Sequence, residues 1–495
     1  MLYSEQLTGN IKFKEKLFWV LGALTALSVW AALVMDEILL IGIPFALILA
    51  YQTLINYKTI YFLLFATIPL STEVYFSNGL STDLPCEPLI IGLMLVYLLQ
   101  VIARPDLIDG NFWKHPLTIL LLAHFLWTVF AALLSSNQGV SIKFTLAKFW
   151  YLATFFFLTG HLIRNEKLAW NLWWWIMIPL TLATTKVVLH HATMDFGFKE
   201  INKATGPFFR NHVNYAAILA LILPLLWFFW GRYKRWTMPW WILAMSTFIL
   251  FFGMMTAYTR AAYVALVLAA GVYVVIRMKL IKWALIAATI VIPLFFGYMI
   301  YNNKFMDFAP SERTISHEGF QDIVAATYKL EDVSTSERYY RWVAGMRMIT
   351  EHPFTGVGPG NFYFFYKGYT LNRFSTYVSD NPEKSGIHNY YLMVLVEQGW
   401  IGLIFFVLMV FYTLILAERV YHESGDNLKR KGLVMGLALL LTVIDAFLLM
   451  NDMIETDKVG SFFFFSMAIL INLDLLNKKE KNLNEIAESE IEQKI

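Results

Sequence analysis

The sequence predicts an all-α, polytopic bundle of about 12–14 membrane-spanning helices with one large hydrophilic loop on the side away from the cytoplasm. Three observations predict it. Of the 495 residues, 58% are hydrophobic and only 15% charged, against about 25% charged in soluble domains, and the mean hydropathy is +0.55. Apolar runs of spanning character recur along the whole chain. Finally, Lys and Arg gather in every second connection, which is the charge asymmetry that orients membrane helices.

In chain order, Lys12, Lys14 and Lys16 precede an apolar run from Leu17 to Met35, too long for a cleaved secretion signal and read as a first helix. Further runs follow at 38–56, 59–70, 88–103, 116–134, 145–163, 168–189, 213–231, 239–258, 261–277, 280–301, 389–417, 431–451 and 459–474. The run at 59–70 is short for a hydrocarbon core about 30 Å thick, so it tilts, extends toward Phe76 or re-enters. With the N-terminus inside, cations such as Arg232, Lys234, Arg235, Lys429, Arg430 and Lys431 fall on cytoplasmic connections. The opposite short loops hold few, among them Lys199, Lys203, Arg210, Arg260 and Lys458. This orientation divides the chain into N-terminal spans (1–301), an extracytoplasmic loop with short helices (302–388), C-terminal spans (389–474) and a charged cytoplasmic tail (475–495), a solvated, frayed helix. The first half of the loop is polar and irregular; the second half holds the motifs below.

Several function classes fall away. A net charge of +3 with dispersed basic residues gives no stripe for nucleic acid. The 17 Trp, 25 Tyr and 41 Phe suit chains with many interfacial crossings, where amphipathic rings collect. One cysteine, Cys86, allows neither an intramolecular disulfide nor a cysteine-based metal site. His190 and His191 lack the partner spacing of a metal centre, and neither a metal nor another cofactor is expected.

The chemistry-bearing residues concentrate between Glu337 and Gly399. In SERYYRWVAGMRMITEHPF, helical spacing puts Arg338, Arg341 and Gly345 on one side, and Pro353 ends the pattern. GVGPG at 356–360 follows no strand, so it is a turn and not a nucleotide loop. At His388-Asn389 a polar start becomes an apolar span within one helical turn. Glu397 lies about 13 Å further along such a helix, too far to orient His388, and is expected to pair with another span.

Arg338-x3-Trp342, then His352-Pro353-Phe354-x-Gly356-x-Gly358-x-Gly360-Asn361-Phe362, then His388-Asn389-Tyr390-Tyr391-Leu392-x4-Glu397-x-Gly399-x2-Gly402 resemble the O-antigen ligase and polymerase family in order and spacing. The segment TGPFFRNHVNYAA at 205–217 is similar more loosely, and Thr-Arg at 259–260 resembles the family's arginine before a span of small residues. The resemblance implies a metal-independent, inverting glycosyltransferase at the outer face of the bacterial cytoplasmic membrane. Its donor would be a glycan on undecaprenyl diphosphate, and its acceptor a hydroxyl of the lipid A core or, for a polymerase, of another lipid-linked glycan.

By that resemblance Arg338 binds the donor diphosphate, and the rigid, always charged guanidinium fork suits the task. Arg341 is a further donor-binding candidate. Arg260, at a membrane junction with no acid within seven residues on either side, needs an anionic ligand or a distant carboxylate. Arg210 precedes the N-terminus of a span, where free N–H groups favour an anion. His388 is the candidate general base, since neutral imidazole can take the acceptor's proton. A flippase or other transporter of lipid-linked glycans is the alternative from another class. Transporters, however, place coupling groups near the midplane and show paired repeats, whereas here the candidates crowd one face.

Overall fold

Eleven helices among the described residues are long and apolar enough to cross a membrane, in a computed structural model that describes residues 11–35, 42–75, 81–301, 304, 333–371, 375, 379–381 and 385–492. They coincide with the expected runs from Cys86 onward. Upstream, the helices Ile11–Met35, Gly42–Ile55 and the short Tyr57–Leu70 segment occupy the three remaining runs. An all-α polytopic bundle is therefore what the chain forms.

The short run differs from expectation in how it ends. After the helix Tyr57–Thr67 and a single 3-10 turn, Ile68–Leu70, the helix does not extend toward Phe76. The chain enters an antiparallel hairpin of Thr72–Tyr75 with Ser81–Leu84, in which Thr72 faces Leu84. Thr72, Val74 and Tyr75 are β-formers that sit poorly in helices. The expectation that the early part of the 302–388 loop is irregular falls mainly on residues 305–332, outside the described residues. Of the rest, Val333–Glu351 is a helix, followed by the short helices Phe362–Phe365 and Tyr366–Tyr369.

Two helices form the centre. The apolar windows of Leu428–Leu448 and Asp457–Glu490 are 83% and 89% buried in protein, whereas that of Ile281–Met299 is 6% buried. The last is apolar on all sides because nearly all of them face lipid, where apolar side chains need no protein partner. Leu428–Leu448 packs against His212–Trp230, Arg260–Arg277 and Tyr390–Glu423. Asn165, Asn211, Asn389 and Asn427 each cap the helix that follows by accepting an N–H of its first turn, as short amide side chains do.

Two contacts orient the bundle. At one end His422 Nε2 lies 2.8 Å from the Ile276 carbonyl, so the last turns of two spans meet; the first residues of those spans, Arg260 and Tyr390, are thereby brought to the other end. The end near His422 is held by ion pairs. Arg430 bonds Glu166 (2.5 Å), Asn477 (2.5 Å) and both oxygens of Glu480 (2.6 and 2.7 Å). Asp474 takes Lys478 (2.7 Å), Arg419 (2.9 Å) and His115 (3.3 Å). The helix that begins at Asp457 continues through Glu492 and is exposed over most of its length past Asn477.

Arg430 joins three helices through a buried guanidinium, so its removal takes the charged donor from Glu166, which keeps only the Asn427 amide, and leaves Asn477 Oδ1 without its donor. Arg430→Ala is expected to cost about 2–3 kcal/mol, read as a lower melting temperature of the detergent-purified protein; an unchanged melting temperature would show that the cluster contributes nothing net.

Candidate active site

The helix Tyr390–Glu423 is not continuous. Gly399 stands at φ +71°, ψ −174° inside it, a backbone that only glycine adopts readily, and the break frees carbonyls and amides that a helix would use internally. The glycine turn occupies them. Val357 N–H donates to the Val396 carbonyl (3.0 Å), Gly358 N–H to the Glu397 carbonyl (3.0 Å), and Trp400 N–H to the Pro353 carbonyl (2.9 Å). Gly358 has φ +101°, and a Cβ there would overlap Ser135.

Glu397 completes the splice. Its buried carboxylate accepts Gly360 N–H at 2.8 Å and Phe362 N–H at 3.0 Å. Glu397 thus serves the turn and not, as its position on a span suggested, an ionisable partner on another helix. The distance expectation stands, since nothing here makes it the orienter of His388. Asn361 fixes the far side of the turn, its amide donating to Ser135 Oγ (2.6 Å) and Ser141 Oγ (3.1 Å), while Ser141 donates to the Pro359 carbonyl (2.7 Å).

On the ledge so formed lies the arginine-bearing helix Val333–Glu351. Its expected face is the one that packs. A Cβ on Gly345 would meet Ile387 and Val396, so the helix approaches the segment after residue 385 closely. From it Arg341 Nη1 donates to the Gly386 carbonyl (3.1 Å) and Trp342 Nε1 to the Ile387 carbonyl (3.0 Å). Two consecutive carbonyls are thereby held immediately before His388. That residue sits at φ +57°, a left-handed conformation which a non-glycine residue keeps only when its surroundings over-determine it. The next residue, Asn389, is the cap of the broken helix, accepting Leu392 N–H at 3.0 Å.

His388 is largely buried, and among the described residues its Nδ1 has no hydrogen-bond partner. Its pKa is pushed down to about 3, first by burial, then by the positive charges of Arg341 and Arg338. The imidazole is therefore neutral throughout the physiological range. Arg341 is itself 5% exposed and paired with Glu337 at 3.3 Å, whose other oxygen accepts Ser379. Arg338 is half-buried one turn earlier on the same helix.

Arg260 is the first residue of its helix and half-buried. The preceding Thr259 hydroxyl lies 3.4 Å from the His212 carbonyl, which ties Arg260 to the start of the helix that follows Arg210, an exposed residue. The five expected residues thus lie on one side of the bundle in two groups, Arg210 with Arg260 and Arg338 with Arg341 and His388. Leu428–Leu448, on which the Arg260 helix packs, leads into the second group. Just past it, the Asp452 carboxylate abuts Gly386, where a Cβ would overlap it. Burial raises the Asp452 pKa, and Arg341 opposes the rise. Beside it Tyr390 donates to Glu455 (2.6 Å) and receives Lys148 (3.1 Å).

Asp452, Glu455 and Lys148 did not emerge from motif spacing. The signal available was the acidic run NDMIETD between the last two spans, ionisable groups at membrane depth being costly unless they do something. His191 is engaged with the Gly197 carbonyl (3.0 Å), and no group of three or more His, Cys, Asp or Glu among the described residues could hold a metal ion.

Residues 245–407 match the family described as O-antigen ligase. No curated protein matches the chain. The matched segment begins before Arg260 and contains Arg338, Arg341, the glycine turn, His388 and the break at Gly399.

Because the turn depends on a doubly accepting carboxylate, Glu397→Gln loses one acceptor and sets an amide NH2 against a backbone N–H. A loss of about 2–3 kcal/mol is expected, measured as a melting temperature clearly below that of the native protein; equal stability of Glu397→Gln and the native chain would remove Glu397 from its role.

Proposed function

Because residues 245–407 of this multi-pass chain match the family described as O-antigen ligase, we propose that it transfers a glycan from a polyprenyl diphosphate, undecaprenyl diphosphate by resemblance, to an acceptor hydroxyl of the lipid A core at the outer face of the cytoplasmic membrane. The observation that carries this reading is the clamp on His388: two donors from the arginine-bearing helix fix the backbone before it, and it stays neutral beside two guanidinium charges. A neutral, fixed imidazole next to an anion site is what a metal-free displacement on a diphosphate ester needs.

His388 takes the proton of the acceptor hydroxyl as its oxygen attacks the anomeric carbon. The carbon–oxygen bond to the diphosphate breaks with inversion, and the lipid diphosphate leaves with the electron pair. Arg338 and Arg260 meet its growing charge, with Arg210 at the margin. Arg341 has other work. Committed to Glu337 and the Gly386 carbonyl, it positions His388 and supports the diphosphate only through its field.

Loss of the base separates chemistry from binding. His388→Ala is expected to lower transfer by about 10²–10⁴-fold while donor binding and melting temperature stay near native values. Arg338→Ala instead weakens donor use by about one to two orders of magnitude, with Arg338→Lys a partial rescue. Full transfer by a well-folded His388→Ala protein would refute the assignment.

The pH profile gives an independent test. The base form of His388 in the free protein persists from neutral pH down to about 3, so kcat/KM should not fall through pH 6.5 as with an ordinary histidine. Bound diphosphate offsets the arginine charges that help depress the pKa, so the acidic limb of kcat should lie at higher pH than that of kcat/KM. Coincident limbs near pH 6.5 would mean that His388 is not the titrating base.

A further inference from the structure

The end of the bundle opposite His388 carries a cavity of about 800 Å³, within the range of small-molecule sites. Lys114, Arg164, Lys478 and Lys479 line it, with Asp109 as the only acid of the lining among the described residues. Positive-inside loops explain cations near a membrane surface, but they do not explain a concavity that collects them. Lys478 is matched by Asp474 (2.7 Å), whose carboxylate also takes Arg419 (2.9 Å) and His115 (3.3 Å). That acid is saturated. Among the described residues Lys114 and Lys479 make no ion pair, and Arg164 is tethered only to His161 of its own chain turn, Nε to carbonyl at 3.0 Å.

Leu475, Leu476 and Leu483 share the lining with the cations, as do Asn111 and Asn482, and the Asn472 amide, spent on the Gly160 and Ile163 carbonyls at 2.9 and 2.8 Å, offers no donor there. Cations and leucines in one cavity match an amphiphile with a phosphate head and alkyl chains. We infer that this cavity binds the phosphate-bearing headgroup of an anionic lipid in the leaflet opposite the candidate active site. The inference does not depend on the proposed transfer reaction, since none of its residues touches that site.

The test uses the full-length protein in nanodiscs and in detergent. Retention of phosphatidylglycerol and of zwitterionic phosphatidylethanolamine is measured by native mass spectrometry for the native chain, Lys114→Gln, Lys479→Gln and the double variant. Both lysines are exposed, so unchanged melting temperatures are expected and serve as the folding control. Each cation removed should weaken phosphatidylglycerol retention about fivefold, and the pair about 25-fold, with phosphatidylethanolamine little affected. Millimolar inorganic phosphate forms a second arm: failure to displace the lipid supports the amphiphile, while lysine-dependent binding of phosphate alone with no lipid preference overturns the lipid assignment. Equal retention of both lipids by all four proteins overturns the site itself.

Discussion

A carboxylate held beside a broken helix is the constraint on which the half of the molecule around the candidate site rests. Glu397 is buried with two backbone N–H groups as its partners, and it can be so only because Gly399 interrupts the helix and the glycine turn comes within reach. In the opposite direction, the turn has nowhere to place the amides of Val357 and Gly358 except on the carbonyls of Val396 and Glu397. At membrane depth an unmet backbone group costs several kcal/mol, so break and turn each make the other affordable. The consequence is positional. A helix that would be flexible at its first residues is pinned nine residues after His388, and the arginine-bearing helix lies against the pinned part.

This explains why the glycines and the acid stand in one motif with the histidine although they do no chemistry in the proposed reaction. The fold class, the spans and the crowding of candidates at one side were legible in the sequence, because hydropathy and loop charge report directly on the solvent that each segment meets. The helical face of Arg338, Arg341 and Gly345 was legible as well, since periodicity alone carries it. What could not be read was which partner each ionisable group takes. Glu397 looked like half of an inter-span pair because spacing along one helix says nothing of a turn folded back from forty residues upstream. Arg341 stood in the sequence only as a further donor-binding candidate, and its carbonyl partner at Gly386 and its acid Glu337 become visible only in three dimensions. The hairpin after Leu70 was hidden by its brevity, four residues in each strand giving too little alternation to outweigh the apolar run before it.

Asp452 and its neighbours show a different limit. Three acids at 452, 455 and 457 fall between spans, a place where loop residues are ordinarily solvated, and only packing reveals that Asp452 rests on the Gly386 backbone and that Glu455 joins Tyr390 to Lys148. The two faces are consequently built from unlike materials. The far end ties Glu166, Glu480 and Asp474 to cations, whereas the near end sets guanidinium groups beside a histidine whose Nδ1 has no hydrogen-bond partner among the described residues.

In the proposed reaction, that arrangement would couple proton and donor in a defined direction. Burial is the larger cause of the depressed His388 pKa and is fixed by the fold, but the contributions of Arg341 and Arg338 are removable, because an anion bound to Arg338 cancels part of the field. Such a coupling is reciprocal: whatever factor the diphosphate adds to the proton affinity of His388, protonation of His388 adds to the affinity for diphosphate. Acid therefore favours a donor complex whose base is already occupied, and neutral pH favours one whose base is free. The same depressed pKa has a stability sign. The unfolded chain takes up the proton near pH 6.5 and the folded chain only near 3, so the stability present above pH 6.5 declines as pH falls toward 3, and the bound donor, by raising the folded value, narrows that window from below. With the proposed roles of His388 and the arginines, a site that keeps its base neutral by burial and by neighbouring arginines would thus be least basic when empty and gain basicity as the charge it must neutralise arrives.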